Sequence, residues 1–112
     1  MSERLVVLMT AGSQEEADRI ANALVTKMLA ACVNVLPGVT SVYRWEGEVQ
    51  RDQEWLLVAK SKRDVLDDLV QCVQAIHSYD LPEVIALPVV GGSEAYLRWV
   101  DSEVHSGWHS LD

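Results

Sequence analysis

The sequence predicts an α+β fold, with one antiparallel sheet and helices packed on one face. Two observations lead to this prediction. Segments with helical spacing alternate with extended apolar runs, and two long extended segments adjoin each other in the middle of the chain. The chain has 112 residues, of which 49% are apolar and 23% charged, a size and usage typical of one globular domain. We therefore expect residues 1–112 to form a single domain.

The first strand and helix are predicted within the first thirty residues. The run RLVVLMT, residues 4–10, is continuously β-branched and aliphatic, which predicts a buried strand at the centre of the sheet. Ser13 and Glu16 have the spacing of a capping box, and apolar residues follow at helical intervals. The first helix is therefore predicted from Gln14 to Ala30.

A long hairpin is predicted next, with arms at 32–45 and 49–60. Pro37-Gly38 predicts a bulge or bend in the first arm, and Glu46-Gly47 marks the reversal. The arms exceed the usual strand length of about 5 to 6 residues. The following apolar side chains of the hairpin need a cover: Val42, Tyr43, Trp45, Trp55 and Leu57. Assembly of several copies through the hairpin is the predicted cover.

The remaining elements complete a recognisable order. Ser61 or Asp64 is predicted to begin a second helix that ends at 77–80, and a fourth strand follows at 84–90. Ser93 is predicted to cap a last helix that reaches about Val104, with residues 105–112 as a loose tail. The order strand, helix, strand, strand, helix, strand, helix is that of a ferredoxin-like sandwich with an added C-terminal helix.

Charge, the length of apolar runs and the lack of catalytic motifs argue against several classes of protein. The formal charge is −8, and nine Lys and Arg residues are scattered singly, so nucleic acid is not an expected partner. No segment approaches the roughly 18 apolar residues of a membrane span, and the run at 5–9 is too short for a signal peptide. We expect a cytoplasmic protein without a membrane partner. Catalytic motifs such as GxSxG, HExxH and the P-loop are missing from the sequence, so we expect neither enzymatic activity nor an organic cofactor.

Several short motifs occur in one order and spacing across residues 4–101. They are Ala31-Cys32-Val33-Asn34 with Pro37-Gly38, Ser41-x-Tyr43-x-Trp45-x-Gly47, Glu54 and Lys60, His77-x-Tyr79-x-x-Pro82-Glu83, Leu87-Pro88-Val89, and Tyr96-Leu97-x-Trp99. In this respect the chain resembles the CutA divalent-cation tolerance proteins. The resemblance implies a homotrimer similar in build to PII-type signalling proteins, with hairpins wrapping neighbouring subunits. It also implies tolerance of divalent metal ions, copper above all, with such ions and further copies of the chain as partners.

Cys32, Cys72 and His77 are the residues whose matching family positions can offer sulfur and imidazole to copper or another divalent cation. Cys72 and His77 are five residues apart, about 140° around a helix, so a shared site would need a second subunit or a helix end. The alternative is that both cysteines pack as small apolar side chains. His105 and His109 have i, i+4 spacing, but the glycine between them disfavours a helix, so a solvated tail is the alternative there.

The corner at 77–83 and a neighbour's hairpin are predicted to form an intersubunit cleft. Its predicted residues are Tyr43, Trp45, Glu54, Lys60, Tyr79 and Glu83. Carboxylates, a cation and aromatic rings suit a small ligand or a hydrated cation. The alternative is an interface network in which Glu54 pairs with Lys60. We also expect Asp80 or Glu83 to hold the His77 proton.

The expected function is divalent-cation (copper) tolerance by a trimeric metal-binding or metal-response protein. Two alternatives remain open at this point. One is a signalling or adaptor trimer, similar to PII-type proteins, whose clefts bind a small metabolite or an anion. The other is a structural trimer that anchors a partner.

Overall fold

The computed structural model describes residues 3–105. Over this range it contains the strands β1 Arg4–Ala11, β2 Cys32–Trp45, β3 Glu48–Lys62 and β4 Val84–Pro88, and the helices α1 Gln14–Thr26, α2 Leu66–Ile76 and α3 Glu94–Glu103. A short 3-10 turn, Arg63–Val65, precedes α2. The predicted order of strands and helices is confirmed. Residues 106–112 of the predicted loose tail lie outside the described residues.

The four strands form one antiparallel sheet in the order β2-β3-β1-β4. β1 pairs with β3 along its whole length, with Arg4 opposite Lys62, and pairs on its other side with β4. The predicted central position of β1 is therefore confirmed. Each of the helices α1 and α2 joins two strands that flank a third strand, so both helical connections cross over a neighbour in the sheet.

One face of the sheet carries the core. Leu5, Val7 and Met9 alternate along β1 and are at most 2% exposed, and their partners on β3 are fully buried. Leu57 is one of these partners, because it lies opposite Met9. The prediction that Leu57 needs a cover from another subunit is wrong: side chains alternate across a strand, and its position in the register turns it into the core.

The opposite face of the sheet is apolar and largely open within the described part of the chain. Leu36, Ile85 and Leu87 are 43%, 51% and 46% exposed on this face. The helix α3 is anchored to it: Asp101 forms a bidentate ion pair with Arg4, and Lys62 Nζ donates to the Asp101 carbonyl. The helices α1 and α2 lie on the core face as predicted, whereas α3 is tied to side chains of the opposite face.

Two helix boundaries differ from the prediction. α1 ends at Thr26 rather than at residue 30, because the Met28 N–H donates to Val25 and the Leu29 N–H donates to Leu24, which closes a Schellman motif. Met28 takes the left-handed φ of 59° that this motif requires. Ser61 does not begin α2. It belongs to β3, is fully buried and donates to the Leu29 carbonyl at 2.6 Å.

The hairpin projects beyond the sheet. The register of β2 and β3 shifts between Leu36 and Val39, which places the bulge where Pro37-Gly38 predicts it. Beyond the bulge, β2 and β3 pair only with each other as far as the turn at Glu46 and Gly47. Both turn residues have positive φ, 50° and 82°, as a type I′ turn requires. This two-stranded segment, Val39 to Glu54, is called the arm below.

Candidate functional site

A cleft lies between the arm and the segment 79–83 that connects α2 to β4. Its volume is about 620 Å³, within the usual range for small-molecule sites of about 300–1,000 Å³. The cleft is lined by Thr10, Ser41, Val42, Tyr43, Arg44, Trp45, Asp52, Glu54, Tyr79, Asp80, Leu81 and Glu83. The arm of the same chain supplies one wall of this cleft, where the sequence predicts a neighbour's hairpin.

The structure brings most of the predicted cleft residues together. Tyr43, Trp45, Glu54, Tyr79 and Glu83 all line the cleft. Lys60 does not line it, because it lies six positions further along β3 than Glu54, roughly 20 Å away along the strand. Its ammonium group donates to the Asn34 side chain instead. Within one chain, the alternative pairing of Glu54 with Lys60 is therefore not formed.

Two tyrosine hydroxyls orient two carboxylates of β3. The Tyr79 hydroxyl donates to Glu54 Oε2 at 2.8 Å, and the Tyr43 hydroxyl donates to Asp52. Burial, followed by the hydrogen bond to Glu54, raises the pKa of Tyr79. The hydrogen bond to Asp52 is the main cause that raises the pKa of Tyr43. Both hydroxyls therefore keep their protons at neutral pH and serve as donors.

The cleft is electronegative. It contains four carboxylates, whereas Arg44 is the one Lys or Arg side chain among the described residues that line it. Glu54 is only 7% exposed, and within residues 3–105 no Lys or Arg forms an ion pair with it. Such a cleft attracts cations and repels anions.

His77 lies beside the cleft with both ring nitrogens occupied. Its side chain is fully buried, its Nε2 lies 2.7 Å from the Thr10 carbonyl oxygen, and its Nδ1 lies 3.1 Å from the Tyr79 backbone nitrogen. Because a carbonyl only accepts, Nε2 carries the proton and Nδ1 accepts from Tyr79. The Thr10 carbonyl oxygen, rather than the carboxylate of Asp80 or Glu83, accepts the hydrogen bond from the His77 N–H. In this arrangement the ring offers no free lone pair to a metal ion.

Glu16 is a residue of this network that sequence reasoning missed. It is 5% exposed and accepts from the Ser78 N–H at 2.7 Å and the Gly12 N–H at 3.3 Å, with His77 Nδ1 3.7 Å away. Burial opposes ionisation, but the hydrogen bonds from Ser78 and Gly12 outweigh it and lower the pKa of Glu16. The capping-box spacing correctly predicts the Ser13 cap, yet no local signal indicates that Glu16 reaches Ser78.

The predicted metal ligands do not converge. Cys32 is partly exposed at the start of β2, whereas Cys72 is buried in the core on α2. Among the described residues, no group of three or more His, Cys, Asp or Glu side chains is placed to hold a metal ion. His105 Nε2 lies 2.8 Å from the Ser102 carbonyl oxygen, and His109, its predicted partner, lies outside the described residues.

Comparison of the sequence with known proteins identifies related chains. A family model described as CutA1 divalent ion tolerance protein matches residues 5–103. The divalent-cation tolerance protein CutA of Thermus thermophilus is 50% identical over 95 residues, covering 85% of this chain and 92% of that protein. The chloroplastic protein CutA of Arabidopsis thaliana is 47% identical over 102 residues, covering 91% of this chain and 56% of that protein. The chain thus spans little more than half the length of the plant relatives, with 54% for the rice protein.

Solved structures agree with the sequence comparison. The divalent cation tolerance protein of Thermus thermophilus superposes with a TM-score of 0.90 at 47% identity, covering 91% of this chain and 99% of the other. A structure described as the periplasmic divalent cation tolerance protein CutA of Archaeoglobus fulgidus gives 0.88 at 36% identity, covering 91% and 99%. The four-stranded antiparallel sheet with three helices is therefore shared with these proteins. In residues 3–105, no helix has the length and apolar content to cross a bilayer.

Proposed function

The chain belongs to the CutA1 divalent ion tolerance protein family, and we propose that it acts in this tolerance as a homotrimer with copper as its principal cation. The observation that supports assembly is the open apolar face of the sheet together with the arm. The strand order of the sheet, β2-β3-β1-β4, supports the assignment of a ferredoxin-like fold. The proposed trimer is similar in build to PII-type proteins.

Assembly would relieve two unfavourable features of the single chain. Leu36, Ile85 and Leu87 expose apolar surface on one face of the sheet, and burying such surface contributes about 25 cal/mol per Å². The arm is a two-stranded ribbon with Val42 58% and Trp45 46% exposed, and isolated two-stranded hairpins are only marginally stable in water. A neighbouring copy that packs on both features would stabilise each of them.

A copper site in this assembly needs ligands from more than one chain. Cys32, Cys72 and His77 do not meet within one chain, and the His77 nitrogens are occupied. Cys32 is the partly exposed thiol, and its position opposite Lys60 places it on the open face. We therefore propose Cys32 as the copper ligand that assembly completes, since thiolates suit Cu(I).

Light scattering and equilibrium dialysis of the reduced protein against copper, zinc, nickel and calcium test this proposal. We expect a trimer, and copper binding that is lost in Cys32→Ser and retained in the matched control Cys72→Ser. A version ending at Val104 should bind as the full chain does. A monomer would contradict the proposed assembly, and copper binding lost only with the tail would contradict Cys32 as ligand.

The cleft favours one form of the alternative function. A signalling or adaptor trimer that senses a small metabolite fits a cleft of this size, but the carboxylates argue against an anion. Cytoplasmic localisation stays a prediction, because matched proteins are described as chloroplastic and periplasmic. The expectations of no enzymatic activity and no organic cofactor also stay predictions.

A further inference from the structure

We propose that the cleft is a binding site for a linear aliphatic diamine, with one ammonium group on Glu54 and the other on Asp52. This inference goes beyond divalent-cation tolerance and does not rest on it. Three features carry the inference: a buried carboxylate without a cation, a second carboxylate at a matching position, and apolar walls between the arm and residues 79–83.

Glu54 is the first feature. Only 7% of the surface of this residue is exposed, and it lines the cleft. A buried carboxylate without a cationic partner is costly, and within the described residues no Lys or Arg forms an ion pair with it. The Tyr79 hydroxyl holds Oε2 in place by donating to it. The carboxylate is thus oriented in advance for an incoming donor that carries positive charge.

Asp52 is the second feature. It lies two positions from Glu54 on β3, so the two residues share one face and are separated by roughly 7 Å along the strand. The Tyr43 hydroxyl donates to Asp52, so this carboxylate is also oriented. Asp52 is exposed, whereas Glu54 is buried. One cation therefore fits at the inner end of the cleft and a second at its mouth.

The apolar residues that line the cleft favour an apolar linker between the two ammonium groups of the ligand. Tyr43, Trp45 and Leu81 line the cleft with aromatic and aliphatic surface, which suits a chain of methylene groups. Aromatic faces also attract ammonium groups. A bare metal ion fits less well, because among the described residues no three metal-ligating side chains come close enough to hold one.

Calorimetric titration of the full-length protein with putrescine tests the proposal. Butylamine, which lacks the second ammonium group, and succinate, which reverses the charge, are the matched ligands. We expect one putrescine per chain, no succinate binding, and butylamine binding about three- to tenfold weaker than putrescine binding. Glu54→Gln should weaken putrescine binding about 10- to 100-fold, because it removes a charge-assisted hydrogen bond.

Asp52→Asn provides the sharper test. If the second ammonium group lies on Asp52, this variant reduces the preference for putrescine over butylamine to about twofold, the statistical advantage of two equivalent ends. Glu15→Gln, which makes the same charge change on an exposed residue outside the cleft, should bind putrescine as the unmodified chain does.

Four results would overturn the assignment. They are no putrescine binding, equal weakening by Glu15→Gln, a full preference for putrescine in Asp52→Asn, and loss of copper binding together with putrescine binding in Glu54→Gln. Absence of putrescine binding would arise if a Lys or Arg of a second copy occupied the cleft. Joint loss of copper and putrescine binding would make the cleft a metal site. Retained copper binding in Glu54→Gln separates this inference from the proposed function.

Discussion

Replacing Glu16 by Gln tests whether the buried carboxylate holds the N-terminus of α1 against the end of α2. Glu16 accepts from the Ser78 and Gly12 N–H groups, whose parent segments are far apart in the sequence. The Gln amide offers one oxygen, so one of the two N–H groups faces an NH₂ donor instead. Loss of one charge-assisted hydrogen bond costs about 1.5–3 kcal/mol. This is a large fraction of a typical stability of about 5–15 kcal/mol.

Urea unfolding at a fixed chain concentration measures this cost, with Glu15→Gln as the exposed control. The pKa of Glu16 lies below its ordinary value of 4.5 in the folded protein, so the stability it contributes is present above that value. It is lost as the pH falls through the lower folded pKa. The difference between the unmodified chain and Glu16→Gln should therefore shrink as the pH falls below the ordinary value of 4.5 and through the lower folded pKa. A cost below about 0.5 kcal/mol at neutral pH, or one that does not shrink on acidification, would refute this reasoning.

Two further substitutions test the chain reversal after α1 and the contact of that reversal with β3. Met28→Gly should stabilise the protein by about 1 kcal/mol in the same urea assay, because glycine takes the left-handed φ of 59° without strain. Met28→Ala keeps the strain, so equal stability of the two variants would contradict this expectation. Ser61→Ala should lower the free energy of unfolding by about 1–3 kcal/mol, because it leaves the buried Leu29 carbonyl without its donor. Ser102→Ala removes a comparable but exposed hydrogen bond, and an equally large cost there would argue against burial as the cause.

Much of the fold follows from short-range patterns in the sequence. The apolar run of β1, the Ser13 cap and the bulge at Pro37-Gly38 are each encoded by neighbouring residues, and the structure confirms all three. The end of α1 is missed because Met28 occupies a left-handed position that usually holds glycine. The orientation of Leu57 is missed because it depends on the register with Met9, which no local pattern shows.

The site follows from the sequence only in part. The motifs identify Tyr43, Glu54 and Tyr79, which the fold brings to one cleft. Glu16 and Ser78 meet across a separation of 62 residues, and such long-range hydrogen bonds leave no periodic signal. The sequence does not distinguish a buried polar side chain from an exposed one. From the sequence, Glu16 is therefore interpreted only as part of the capping box.

The interior position of β1 also determines the order in which the protein can fold. The turn at Glu46-Gly47 closes β2 on β3 through a short loop, so this hairpin can form as soon as its two arms exist. β1 must wait for partners that come much later in the chain, first β3 and then β4. During synthesis, β1 therefore cannot complete its pairing with β3 until residue 62 has been added, and cannot complete its pairing with β4 until residue 88. Because the pairing of β1 closes long loops, we expect the insertion of this first strand to be the slow step that completes the sheet.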